Sequence, residues 1–137
     1  MAFTVRALEY FAISVPDKAG AGHGILAALA AEGVNLLAVS GFPTGPGKAQ
    51  LDLVPVDAAA FTSAASRLKL RTRKPKRVFL IQGEDRVGAL AEVLGRLAAQ
   101  NIHVISAQAL TAGNGRFAMI LWVRPAACAK AAKALGA

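Results

Sequence analysis

Cysteine occurs once in the 137 residues, at Cys128. A lone thiol can neither close an intrachain disulfide nor build a thiolate metal cluster, and its simplest reading is a small buried hydrophobe. Long apolar runs are also missing. No stretch approaches the roughly 18 apolar residues needed to cross a bilayer, and Met1 is not followed by the basic and apolar regions of a secretory leader. A soluble cytoplasmic protein with no membrane partner is therefore expected. Acidic residues are scarce: eight Asp and Glu stand against sixteen Lys and Arg, for a net charge of +8, and only two histidines occur. His23 and His103 have no acid or thiol partner evident in the sequence, and no nucleophile with a base, paired carboxylates or metal-ligand spacing emerges. The chain does not read as an enzyme, and neither catalytic residues, a metal nor a cofactor is expected.

What the chain does have is repetition. With 55% hydrophobic residues it is not a disordered polymer, and its second half rewrites its first at an offset of 68 positions, without a gap from Phe11 to Ala58. Asp17, Gly20, Leu26, Leu29, Gly45, Gly47 and Leu53 recur as Asp85, Gly88, Leu94, Leu97, Gly113, Gly115 and Leu121. That period is too long for a solenoid unit and suits a minimal domain. Each copy alone sits near the lower limit for burying an adequate core. Two repeats are expected, over residues 1–68 and 69–137.

The elements follow from pattern. Phe11 to Val15 is β-branched and aromatic and ends at Pro16-Asp17, a strand entering a loop. Ile25, Leu26, Leu29 and Ala30 then fall at helical spacing up to Gly33. Val34 to Phe42 and the alternating Ala49, Leu51 and Leu53 flank the turn Pro43 to Gly47, a hairpin. Asp57 can cap a second helix whose face carries Phe61, Ala64, Ala65 and Leu68, and the alternating basic stretch after it reads as an edge strand. The second copy repeats this order, with Pro125 in the first turn of its last helix, but no segment follows that helix to supply a last strand. Residues 2–7 correspond by position to 70–75, so the N-terminal segment is expected to complete the second sheet. Because Gly45-Pro46-Gly47 and Gly113-Asn114-Gly115 join strand to strand, they are hairpin turns and not phosphate loops. The order specifies an α+β fold of two ferredoxin-like βαββαβ repeats, each an antiparallel sheet with helices on one face.

The turn Pro16-Asp17-Lys18-Ala19-Gly20, the apolar helix after it and Glu32-Gly33-Val34-Asn35-Leu36 resemble the ACT domain. Asp85-Arg86-Val87-Gly88-Ala89-Leu90 with Gln100-Asn101-Ile102-His103-Val104 resembles a second one, so that the resemblance spans nearly the whole chain. It implies a regulatory protein that binds a small amino acid or related carboxylate where the loop after the first strand meets the second strand of a neighbouring domain. By position, Asp17, Ala19, Gly20 and Asn35 are implied in copy one, and Asp85, Val87, Gly88 and His103 in copy two. The physical basis is a glycine that admits a ligand close to helix-start amides lacking intrahelical partners; the plain alternative is that each aspartate caps a helix. Gly22, His23 and Gly24 are poor helix formers, which leaves open either a wider, amide-rich mouth with His23 as donor or a frayed loop.

Two surfaces complete the expectations. Ala118, Ile120 and Trp122 alternate onto the outer face of the second sheet, which either copy one or a second chain must cover, and a homodimer through the surfaces near Ile120 and Trp122 is expected. Arg67 to Arg77 concentrates positive charge and supports an alternative, a basic nucleic-acid-contacting or protein-interaction module. The edge-strand reading of that stretch is preferred, and no nucleic-acid partner is expected.

Overall fold

The computed structural model describes residues 3–137. Along the chain these form β1 (Phe3–Pro16), α1 (Ala21–Ala31), β2 (Leu36–Gly45), β3 (Lys48–Pro55), α2 (Ala58–Arg67), β4 (Lys76–Glu84), α3 (Ala89–Ala99), β5 (Val104–Gly113), β6 (Arg116–Val123) and α4 (Cys128–Leu135), the last preceded by a 3-10 turn over Pro125–Ala127. The fold is α+β. Two compact units divide it: one is Glu9–Lys76, and the other combines Arg77–Ala137 with the residues up to Leu8.

In the Glu9–Lys76 unit the strands run in the order β2, β3, β1, antiparallel at both pairings. Phe11 lies opposite Leu53 and Ile13 opposite Leu51. Alternation sends these side chains to one face, where they meet Leu29 of α1 and Phe61, Ala64 and Ala65 of α2. Burying each large side chain stabilises by about 1.5–3 kcal/mol. The carboxylate of Asp57 accepts from the amides of Ala59 and Ala60 at 3.0 and 3.1 Å, a cap of about 1 kcal/mol. Where the second repeat has Pro125 instead, a 3-10 turn starts the last helix.

In the other unit β4, β6 and β5 follow β1, and β6 is antiparallel to both β4 and β5. Phe79, Ile81, Met119 and Leu121 form the sheet side of a core closed by Val93 and Leu97 of α3 and by Ala131 and Leu135 of α4. The N-terminal part of β1 belongs to this unit. Phe3, Val5 and Ala7 pack on its core, the Thr4 hydroxyl donates to the Gln82 carbonyl at 3.4 Å, and the Arg96 guanidinium lies 4.9 Å from the Phe3 ring centre. Ala2, the first residue of the segment 2–7, lies outside the described residues.

Three expectations need correction. Between α2 and β4 the basic stretch, residues 68–75, forms no strand. Lys69 takes a left-handed conformation, φ 57°, as the chain leaves the helix, and Pro75 has no amide to donate; one bridge between Thr72 and Ile13 remains, with the Arg73 amide donating to the Ala12 carbonyl at 3.0 Å. The second concerns α1, which begins at Ala21 and includes Gly22, His23 and Gly24, so no frayed loop forms there. The cost of about a kcal/mol per glycine is offset by packing of Ile25, Leu26 and Leu29. Third, Ile120 and Trp122 are only 8% and 7% exposed within the single chain. They offer no free surface to a second chain, because alternation assigns a side chain to a face but not that face to solvent.

The open surface lies elsewhere. β5 is exposed at every residue after Val104, carries no charged residue and ends the strand order. Ile105 and Leu110 on it are 55% and 64% exposed.

Candidate functional site

Both Asp-x-x-Gly turns are built alike. Gly20 and Gly88 precede their helices at φ 88° and 86°, a left-handed conformation that a side chain would strain. The Asp17 amide donates to the Gly47 carbonyl at 3.1 Å, and the Asp85 amide to that of Gly115 at 2.8 Å. Each turn is thus tied to the tip of its own hairpin. Neither α1 nor α3 has a side-chain cap, so Asp17 and Asp85 do not serve that purpose.

At the second turn the surface forms an open pocket of about 390 Å³. Asp85, Arg86 and Gly88 form its polar rim, Ala89, Leu90 and Ala91 come from the first turn of α3, and Ala109, Leu110 and Thr111 come from β5, with Phe117 of β6. The first turn of α3 brings backbone amides that lack intrahelical partners, and its dipole favours an anion there. Beside them lies an apolar surface. The arrangement suits a small molecule with a charged end and an apolar body.

Of the residues singled out in sequence, Asp85 and Gly88 line this cavity, whereas Val87 is fully exposed and His103 is not among the lining residues. Asp17, Ala19, Gly20 and His23 are exposed and Gly22 is half-buried. Asn35 spends its side-chain oxygen on the Leu36 amide at 3.0 Å. Arg86, Leu90, Leu110 and Phe117 were not singled out. A comparison of the copies contains the signal for them, because their counterparts are Lys18, Gly22, Phe42 and Ala49.

No protein-family model matches the chain, and no curated protein matches it. Solved structures do. It is similar to protein BT0572 from Bacteroides thetaiotaomicron at 21% identity, with a TM-score of 0.81 over 96% of this chain and 88% of that one. It is also similar to the ligand-free regulatory subunit of aspartate kinase from Thermus thermophilus, at 15% identity and a TM-score of 0.66 over 99% of this chain and 95% of that one. The regulatory subunit of the Thermus flavus enzyme gives 18% identity and a TM-score of 0.61, again over 99% and 95%. At these identities the likeness is one of fold.

A second polar group lies in the Glu9–Lys76 unit. The Asp52 carboxylate, 7% exposed, accepts from the Gln50 amide at 2.8 Å; Arg73 donates to the Gln50 carbonyl at 3.0 Å and to the Ser14 hydroxyl at 3.4 Å. Arg73 and Arg67, which pairs with Glu32 at 2.6 Å, are therefore engaged within their own unit. Burial pushes the Asp52 carboxyl above the usual carboxylate range, against the opposing pull of Gln50 and Arg73. A raised native pKa means the folded state favours the protonated form, so stability falls as pH rises from the ordinary carboxylate range through the native value. Asp52→Asn, which keeps the acceptor for Gln50, is expected to raise the melting temperature at pH 7 and to change it little at pH 3. Equal shifts at both pH values would exclude this origin.

Burial likewise pushes the Cys128 thiol up, opposed by the Arg77 charge, and its Sγ donates to the Arg124 carbonyl at 3.7 Å. This is a packed thiol, not an activated one. Among the described residues no group of three His, Cys, Asp or Glu side chains is placed to hold a metal, and no helix is long and apolar enough to cross a membrane.

Proposed function

We propose that this chain is a non-catalytic regulatory protein of ACT type that binds a small amino acid or related carboxylate, with its site in the second repeat. The cavity at the Asp85–Gly88 turn carries the reading. Its rim offers a carboxylate, a guanidinium and helix-start amides, and its wall is apolar, a combination that complements an ammonium, a carboxylate and a hydrocarbon side chain. The resemblance of both turns to ACT domains supports it, as does likeness of fold to the regulatory subunit of aspartate kinase. Binding would act through association at the uncharged, open edge of β5, since exposed strand edges without charge invite pairing.

A thermal-shift panel of the twenty amino acids tests this. At least one should raise the melting temperature in proportion to the logarithm of its concentration, through mass action on the folded state. A flat panel at millimolar concentration would sink the proposal.

A further inference from the structure

The second turn differs from the first in a chain of charges. Arg86, on the cavity rim, pairs with Glu92 one turn into α3. Glu92 also reaches Arg96 at 3.9 Å, and Arg96 lies over Phe3. In the first repeat these positions are Lys18, Gly24 and Ala28, so Glu92 and Arg96 have no charged counterparts there. The side chains of Arg86, Glu92 and Arg96 are 39%, 33% and 36% exposed, so all three reach solvent, and Arg86 also lines the pocket.

We infer that Arg86 is the carboxylate receptor of the second-repeat site, and that Glu92 occupies it from within the chain until a ligand carboxylate takes its place. This rests on the reading of the cavity as a small-carboxylate site and names its anion-recognising group and internal competitor. A guanidinium holds a carboxylate through two parallel hydrogen bonds, and a ligand that also fills the apolar wall beside Leu90, Leu110 and Phe117 gains contact that Glu92 does not make. Once displaced, Glu92 keeps a partner in Arg96 one helical turn further on. The exchange thus leaves no carboxylate uncompensated. It selects apolar amino acids with a free carboxylate, and passes occupancy to the cation resting on the Phe3 ring.

Calorimetric titration of the full chain with L-leucine, L-methionine and L-phenylalanine, each beside its carboxamide, tests the inference. The wild type should bind at least one of the three acids, and its carboxamide about tenfold more weakly or worse. Arg86→Met should weaken the acid about ten- to hundredfold, the range of a hydrogen bond to a charged group, with little effect on the carboxamide. Arg86→Lys should recover part of the loss. Glu92→Gln should tighten the acid about two- to fivefold, the range of a partly exposed ion pair, and leave the carboxamide unchanged, a discrimination that a merely structural effect of the substitution would not produce. Equal binding of acid and carboxamide, or wild-type affinity in Arg86→Met, overturns the inference while leaving the small-ligand reading intact. If none of the three acids binds, the inference falls as well, and a silent twenty-amino-acid panel takes the broader reading with it.

Discussion

Phe61→Ala is expected to destabilise the Glu9–Lys76 unit by about 3–5 kcal/mol, the range for deleting a fully buried aromatic ring. Phe61 has no exposed surface. Its ring stacks on Phe11 with centroids 4.4 Å apart and planes inclined by 29°, joining the middle of α2 to the strand that opens the repeat. Leu29, Leu53, Ala64 and Ala65 share the cluster. None of these short or branched side chains can swing far enough to fill the space, so the loss combines transfer free energy with a residual cavity. A small domain has total stability of only about 5–15 kcal/mol. The substitution should therefore bring the unit close to unfolding at room temperature. Urea unfolding of Phe61→Ala beside Phe42→Ala, a ring 41% exposed on β2, measures the contrast. Similar losses at the two positions would contradict the packing.

The second large effect is expected from a chain that begins at Glu9. It lacks residues 3–8, which belong to the unit otherwise formed by Arg77–Ala137. Phe3, Val5 and Ala7 leave that core half-covered, and the edge of β4 that β1 occupies is opened. Partial burial of three apolar side chains amounts to roughly 3 kcal/mol, and the freed backbone groups of β4 must find water or another strand. The truncated chain should lose hydrogen-exchange protection across Val78 to Ile81, unfold at lower temperature and tend to associate. Unchanged protection there would mean that the N-terminal strand only decorates the unit.

The substitution and the truncation probe what is legible in different ways. Phe61 and its neighbours on α2 are readable from helical spacing alone, because 3.6 residues per turn puts positions 61, 64, 65 and 68 on one side. The role of residues 3–8 follows from the repeat register and not from their own composition. The site was less legible. Asp85 and Gly88 are legible through the turn they form, but Arg86, Leu90 and Phe117 become pocket residues only when α3 and β6 are brought beside β5. Gly22 and His23 are unusual in a helix, yet α1 absorbs them.

By itself the sequence determined the duplication, the hairpins, the glycine turn before each repeat's first helix and, apart from the basic stretch, the order of strands and helices. Apart from the duplication, which is read by comparing positions 68 apart, these are local: a period of 2 or 3.6 residues, or a turn that one residue type tolerates, acts over a few positions. Only the tertiary structure decided which sheet faces are closed, that the basic stretch makes a single bridge in place of a strand, and that the cavity opens at the second turn. Those outcomes depend on which surfaces meet across long sequence separations. Burial and enclosure belong to pairs of elements, and no segment carries them alone.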